Sequence, residues 1–437
     1  MVAGRICRVD LQRALEVVSQ PLTYEGVSDP QLCAQVQALA DRDLGIGCVP
    51  VLDGQDSVRP VDVLLRLAVA TKPEYQTDLY EVHRHWSLMR YLGLFDADSN
   101  GRLCLSSAGR RIVGNQRKVT SEELGIGFAV YRAEQWVASR WPRTTSVAVI
   151  DIDVALTSGY VRAGAVASSV VQRSGRRPDY LLIAESPDSQ DRYRYAVIEC
   201  KGTKSWTNGL KQMASACEQL RGVSVGDGQP PGLAVGTVLA DHRIRCRALE
   251  LAPRSHGRDV EPVADWVEQP RVFEDVAEVY IEPDTFERAV HVDIDENVPV
   301  SAEEMVTVGI QASWASLADF AGNDSAFRRW APPVFRANLE RDVRARPQRV
   351  RRQTRGGLDV VGVRNLITLP GGDLEIVFGL AAEVDDALTG RDPAAVIDAQ
   401  GRVAERGAYE NDLPRREVSE EVTAVSDNGA VLMLAPR

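Results

Sequence analysis

The chain has 437 residues, 44% hydrophobic and 26% charged, with a net charge of −11. This is the composition of a globular protein long enough for two or three domains, not of a disordered chain or one coated in positive charge. A local basic patch for phosphates stays open, because phosphate binding is a local property.

No apolar run reaches the roughly 18 residues that span a bilayer, and the start "MVAGRICRVD" lacks an apolar secretory core. The expectation is a cytoplasmic protein without a membrane partner. The seven cysteines include no CxxC pair, so neither a zinc ribbon nor a disulfide framework is expected. Five histidines are few, and His83 and His85, two apart, would diverge on a helix, which argues against a histidine zinc site.

Residues 1–116 read as mainly helical. "RPVDVLLRLAVATK" is an amphipathic helix with a proline at its start. "TDLYEVHRHWSLMRYLGLFDADSNGRLCLSSAGRRIVG" gives a helix, a short strand, a turn at Asp98-Ser99-Asn100-Gly101, a second strand and a serine-started helix. This stretch resembles the recognition helix, wing and closing helix of a winged-helix domain. The resemblance implies a wing near Asp96 to Leu103 and a preceding helix that enters a DNA groove or docks a protein. The acidic tip, Asp96 and Asp98, counts against DNA.

Residues 117–255 read as an α/β unit. "TSEELGIGFAVYRAEQWVASR" opens with helix N-terminus chemistry. "SVAVIDIDVAL", "DYLLIAE" and "RYAVIECKG" are strands, the last two joined by "SPDSQDR". "NGLKQMASACEQLRG" is a helix closed by glycine, and "PGLAVGTVLA" is a buried strand. The order helix, strand, strand, strand, helix, strand implies a mixed sheet. "LGIG" occurs twice and is too short to carry meaning.

Residues 256–437 read as an α+β region. "DVAEVYIEP" and "AVHVDID" look like strands and "SAEEMVTVGIQASWASLADFAG" like a helix. "NLITLPGGDLEIVFGLAA" looks like a strand pair, and the tail mixes polar linker with a terminal strand. The stretch from Arg336 to Arg355 is the clearest basic patch, suited to phosphates or to an ordinary solvated helix face.

Chemistry concentrates in "YAVIECKGT". On a strand, Ala196, Ile198 and Cys200 share the face that belongs in the core, and Val197, Glu199 and Lys201 share the other. Alone, such a triplet is a surface salt pair. Upstream, however, "RRPDYLLI" places Asp179 at the mouth of an apolar strand, after Pro178. A hairpin through "SPDSQDR" returns Asp179 beside Glu199, and two carboxylates next to a lysine suit a hard divalent cation.

Here the chain resembles the PD-(D/E)xK nuclease superfamily: Pro178-Asp179, then Glu199-Cys200-Lys201, within an αβββαβ order. The resemblance implies a restriction endonuclease-like α/β fold in which Asp179 and Glu199 hold Mg²⁺, or Mn²⁺, and Lys201 positions or activates the attacking water. It also implies a metal-side glutamate on the first helix, Glu123 with Glu122 as the neighbouring choice, and a supporting glutamine, Gln212 with Gln219 in reserve. Asp151 and Asp153 share a face of their own strand and fit edge solvation better than the site. Cys200 fits core packing. Trp206 and Trp314 could stack on bases, though tryptophan is commonly core.

The functional expectation is therefore a metal-dependent DNA endonuclease, a phosphodiesterase of the restriction or phage-defence kind. Its partner would be DNA, with a homodimer where both strands are cut, and a partner protein of a defence system by analogy. The alternatives are a catalytically silent DNA-binding regulator and a protein-interaction scaffold that keeps the nuclease fold.

Overall fold

The alternating run YRYAVIECKGT forms a strand over Tyr193–Thr203, and a mixed eight-stranded sheet is built around it. The computed structural model describes residues 8–40, 43–71, 90–158, 160–163, 166–185, 193–225, 228–240, 242–255, 308–331, 349–369, 372–390, 392–412 and 421–437. Across the sheet the strands run Gly54–Val58, Leu22–Val27, Arg243–Leu251, Gly232–Ala240, Tyr193–Thr203, Tyr180–Glu185 and Ser146–Asp151, and the short Ile46–Gly47 pairs with Arg243–Leu251. Tyr193–Thr203 is parallel to Gly232–Ala240 and antiparallel to Tyr180–Glu185.

The two faces of the central strand meet different helices, as alternation requires. Ala196, Ile198 and Cys200 pack with Ala129, Ala133, Trp136 and Val137 of the helix Gly114–Arg140. Val197 packs with Met213, Cys217 and Leu220 of the helix Trp206–Leu220. Close approach on the first face is made by glycines. A Cβ added at Gly202 would fall 1.6 Å from the Ser121 carbonyl oxygen, and one at Gly125 would fall 2.9 Å from Gly202 Cα. Gly125 and Gly127, the pair in "LGIG", thus mark where the long helix crosses the sheet and the Pro60–Ala70 helix, a meaning the short string hid.

Strands from before and after residue 116 join in one sheet. Leu22–Val27 lies parallel to Arg243–Leu251, with Gly26 opposite Cys246, and Gly54–Val58 extends the same edge. The strands Leu22–Val27 and Gly54–Val58 are therefore part of the central layer. The expected hairpin exists as Phe95–Ala97 against Leu103–Leu105, with Gly101 at φ 72° in its turn. Its tip is tied down, because Thr23 donates its N–H to the Gly101 carbonyl at 3.1 Å and Arg13 reaches Asp96 at 2.9 Å. The helix expected before it, with His83 and His85, lies outside the described residues.

A five-stranded sheet, Arg349–Gln353, Asp359–Leu369, Gly372–Ala381, Ala430–Pro436 and Val422–Val425, forms the C-terminal part, so the expected strand pair and terminal strand are present. Residues read as polar linker belong instead to the helix Pro393–Asp412. The strands expected within 256–307 lie outside the described residues. No described helix is long and apolar enough to cross a membrane.

Candidate active site

The ladder between Tyr180–Glu185 and Tyr193–Thr203 pairs Tyr180 with Ile198 and ends there. One step further, Asp179 stands opposite Glu199. Residues directly opposite in an antiparallel pair present side chains to the same face, so both acids point to one side. Asp179 closes the ladder with its own side chain, which accepts the Cys200 N–H at 2.8 Å, while its backbone N–H donates to the Ile198 carbonyl at 3.1 Å. Lys201 Nζ donates to Glu199 Oε1. The triad Asp179, Glu199 and Lys201 is thus assembled at a strand mouth.

Glu199 is fully buried, Asp179 half-buried and Lys201 23% exposed. Burial and the Asp179 carboxylate push Glu199 up to about 8, against the pull of Lys201. Burial also raises Asp179, with the Cys200 N–H and Lys201 acting the other way. The Asp179 charge lies close enough to Glu199 to disfavour ionisation of the buried Glu199 carboxyl.

Glu199 Oε2 is buried with no N–H or O–H donor on it, and Gln212 Oε1 is likewise a buried acceptor without a donor. Gln212 lies on the Trp206–Leu220 helix, which covers the Glu199 face: Cβ atoms at Gly232 and Gly236 would meet Leu220 and Met213 of that helix. Two buried acceptors lacking donors fit a cation better than a closed polar network. Among the described residues no three His, Cys, Asp or Glu side chains converge on a metal position. The donor set is a carboxylate pair, which matches a cation that keeps waters and takes substrate phosphates as its remaining ligands.

Other expected residues lie elsewhere. Glu123 sits on the Gly114–Arg140 helix, on the opposite face of the sheet, where its carboxylate accepts the Tyr91 hydroxyl and lies 3.4 Å from Arg90. Glu122 pairs with Lys118 at 3.7 Å. Gln219 donates to the Arg177 carbonyl at 3.1 Å, bracing the turn into Asp179. Asp151 ends its strand and is raised by burial, with Asp179 among the charges acting on it. Asp153 does not share that strand. It starts the helix Ile152–Ser158 and pairs with Arg177 at 2.6 Å. Cys200 is core, its thiol pushed up by burial.

Within the arginine-rich stretch, 336–348 lie outside the described residues. Arg349 holds the buried Asp385 and Arg352 is 2.6 Å from the buried Glu375, so these two serve packing of the C-terminal sheet, while the exposed Arg351 is 3.6 Å from Asp359. Trp314 is fully buried, edge-on to Trp330 at 4.8 Å. Trp206 is 37% exposed and carries Arg247 at 3.5 Å and Arg245 at 4.7 Å from its ring centroid. Those arginines went unread in the sequence, although "RIRCRALEL" alternates arginine with apolar residues at strand period. Comparison with protein-family models, with curated proteins and with solved structures gives no match.

Proposed function

We propose that the chain is a divalent-metal-dependent nuclease of the PD-(D/E)xK kind, acting on DNA phosphodiester bonds. The observation that carries this reading is that Asp179 and Glu199 stand opposite each other at the end of the ladder, beside Lys201, with Glu199 Oε2 buried and without a donor.

Asp179 and Glu199 would hold Mg²⁺ or Mn²⁺, which supplies Lewis acidity and a water of lowered pKa. Lys201 contributes a compact cation at the solvent edge of the pair, where it can orient a water and offset charge on a phosphate oxygen. Asp179 is held in place by the Cys200 N–H, so its direction is set by backbone rather than by a free rotamer. Gln212, on the helix that covers this face and with a buried Oε1 lacking a donor, would act as a positioning residue. Glu123 is bonded to Tyr91 and Arg90. Where both strands of a duplex are cut, two copies of the site are needed and a homodimer supplies them.

The test is purified protein with plasmid, linear and single-stranded DNA, with Mg²⁺ or Mn²⁺ and with chelator, beside Lys201→Ala and Asp179→Ala. Metal-dependent cutting lost in both variants supports the reading. Equal behaviour of all three proteins removes it.

A further inference from the structure

Arg243, Arg245 and Arg247 alternate along Arg243–Leu251 and so share one sheet face. The register sets that face beside Lys201. Lys201 is level with Gly236 and Gly236 with Arg247, while Thr203 is level with Val238 and Val238 with Arg245. Level residues present side chains to one face, so the arginines look to the side of the Trp206–Leu220 helix, as Lys201 does. Two strand spacings separate the Lys201 and Arg247 backbones, about 10 Å.

The three form a gradient from buried to open. Arg247 is 1% exposed, its Nε has no partner, and its Nη1 donates to the Trp206 carbonyl at 2.8 Å. Arg245 is half-buried and Arg243 exposed. Among the described residues their one carboxylate is Glu25, 2.7 Å from Arg245 and 3.4 Å from Arg243, and none reaches Arg247. Burial and the neighbouring Arg245 pull Arg247 down to about 10.

Magnitudes separate a packing role from a binding one. A desolvated cation–π contact returns only part of what burying a charge without a counter-ion costs. Trp206 therefore leaves Arg247 underpaid in charge, and three arginines with one glutamate keep two positive charges in excess on a protein of net charge −11. An anion held by the outer arginines would complete the set.

We infer that Arg243, Arg245 and Trp206, with Arg247 beneath them, form a phosphate-binding ramp for the substrate's sugar-phosphate chain, leading away from the bond held at Lys201. At 3.4 Å of helix axis per phosphate along a strand, about 10 Å is about three phosphates. This rests on the nuclease reading for its substrate class, and the source of the phosphates is a single strand or one strand of a duplex.

The experiment measures binding of short labelled single-stranded and duplex DNA in chelator across about 50 to 200 mM salt. Wild type is compared with the double variant Arg243→Gln/Arg245→Gln, with Trp206→Ala and with Glu25→Gln. The double variant is expected to bind at least about tenfold more weakly and to flatten the log–log salt slope, by about 1.4 on single strands or about 1.8 on duplex. The arm in which the slope changes identifies the source. Glu25→Gln, which releases the arginines from their carboxylate, is expected to bind more tightly, and it carries the test if the double variant melts early.

Wild-type slopes and affinities in all variants overturn the ramp. Cutting with Mg²⁺ is followed in parallel. Cutting with unchanged slopes removes the ramp and keeps the nuclease. Changed slopes without cutting keep the ramp as a binding surface and remove the nuclease.

Discussion

The Asp179 carboxylate accepts the backbone N–H of Cys200 at 2.8 Å, so the acid that faces Glu199 also finishes the strand ladder. One side chain thereby couples the architecture of the sheet to the chemistry at its mouth. The two roles separate by substitution.

Asp179→Asn keeps an acceptor oxygen for Cys200 and removes the charge. Its melting temperature is expected to stay within about 2 °C of wild type, while metal-dependent cutting falls at least about 100-fold. Asp179→Ala loses the acceptor as well and is expected to cost about 1–2 kcal/mol in addition. Thermal melts beside plasmid cleavage check both; an active Asp179→Asn protein would rule Asp179 out as a metal ligand.

Glu199 gives a pH dependence with a definite sign. Its folded-state pKa, pushed up to about 8 by burial and by Asp179, lies above its ordinary value of 4.5. The folded protein therefore binds a proton that the unfolded chain releases, and stability held at low pH is lost as pH rises through about 8. In chelator, wild type is expected to lose melting temperature between about pH 5 and 8, and Glu199→Gln to lack that component. Because metal must displace the proton, apparent Mg²⁺ affinity is expected to rise about tenfold per pH unit up to about 8 and then level off. Calorimetric titration measures it.

Gln212 Oε1 is a buried acceptor without a donor, so it costs stability in the metal-free protein. Gln212→Leu is expected to raise the melting temperature slightly and to lower cutting by about 10- to 100-fold. Opposite signs in the two measurements mark a positioning role; a fall in both would mark a purely structural one.

Gly202 follows Lys201 because no other residue fits. A Cβ there would overlap the Ser121 carbonyl of the helix on the opposite face. Gly202→Ala is expected to destabilise the protein by about 3 kcal/mol, the upper end for forced overpacking, as read by denaturant titration. A neutral Gly202→Ala would show that the helix can lift from the sheet.

What was legible in the sequence was local. The period-2 pattern of YAVIECKGT correctly divided Ile198 and Cys200 from Glu199 and Lys201, and the hairpin argument placed Asp179 opposite Glu199. The reading failed where a partner is remote. Leu22–Val27 is six residues with no local sign that its neighbour is Arg243–Leu251. Arg352 looked like part of a basic patch because its buried counter-charge, Glu375, also gathers Arg364 and the far Arg437. Asp151 and Asp153 looked like strand companions because the change to helix at Ile152 carries no glycine or proline to announce it.

The parallel pairing of Leu22–Val27 with Arg243–Leu251 has a consequence for synthesis. An emerging chain exposes Tyr24 and its neighbours long before Cys246 leaves the ribosome, so Leu22–Val27 can pair early with Gly54–Val58 while its other side waits for Arg243–Leu251. Deleting the opening residues would remove the strand that joins Gly54–Val58 to Arg243–Leu251, and a nascent chain stalled before residue 243 is expected to need a chaperone to keep the open side of that strand from joining another copy.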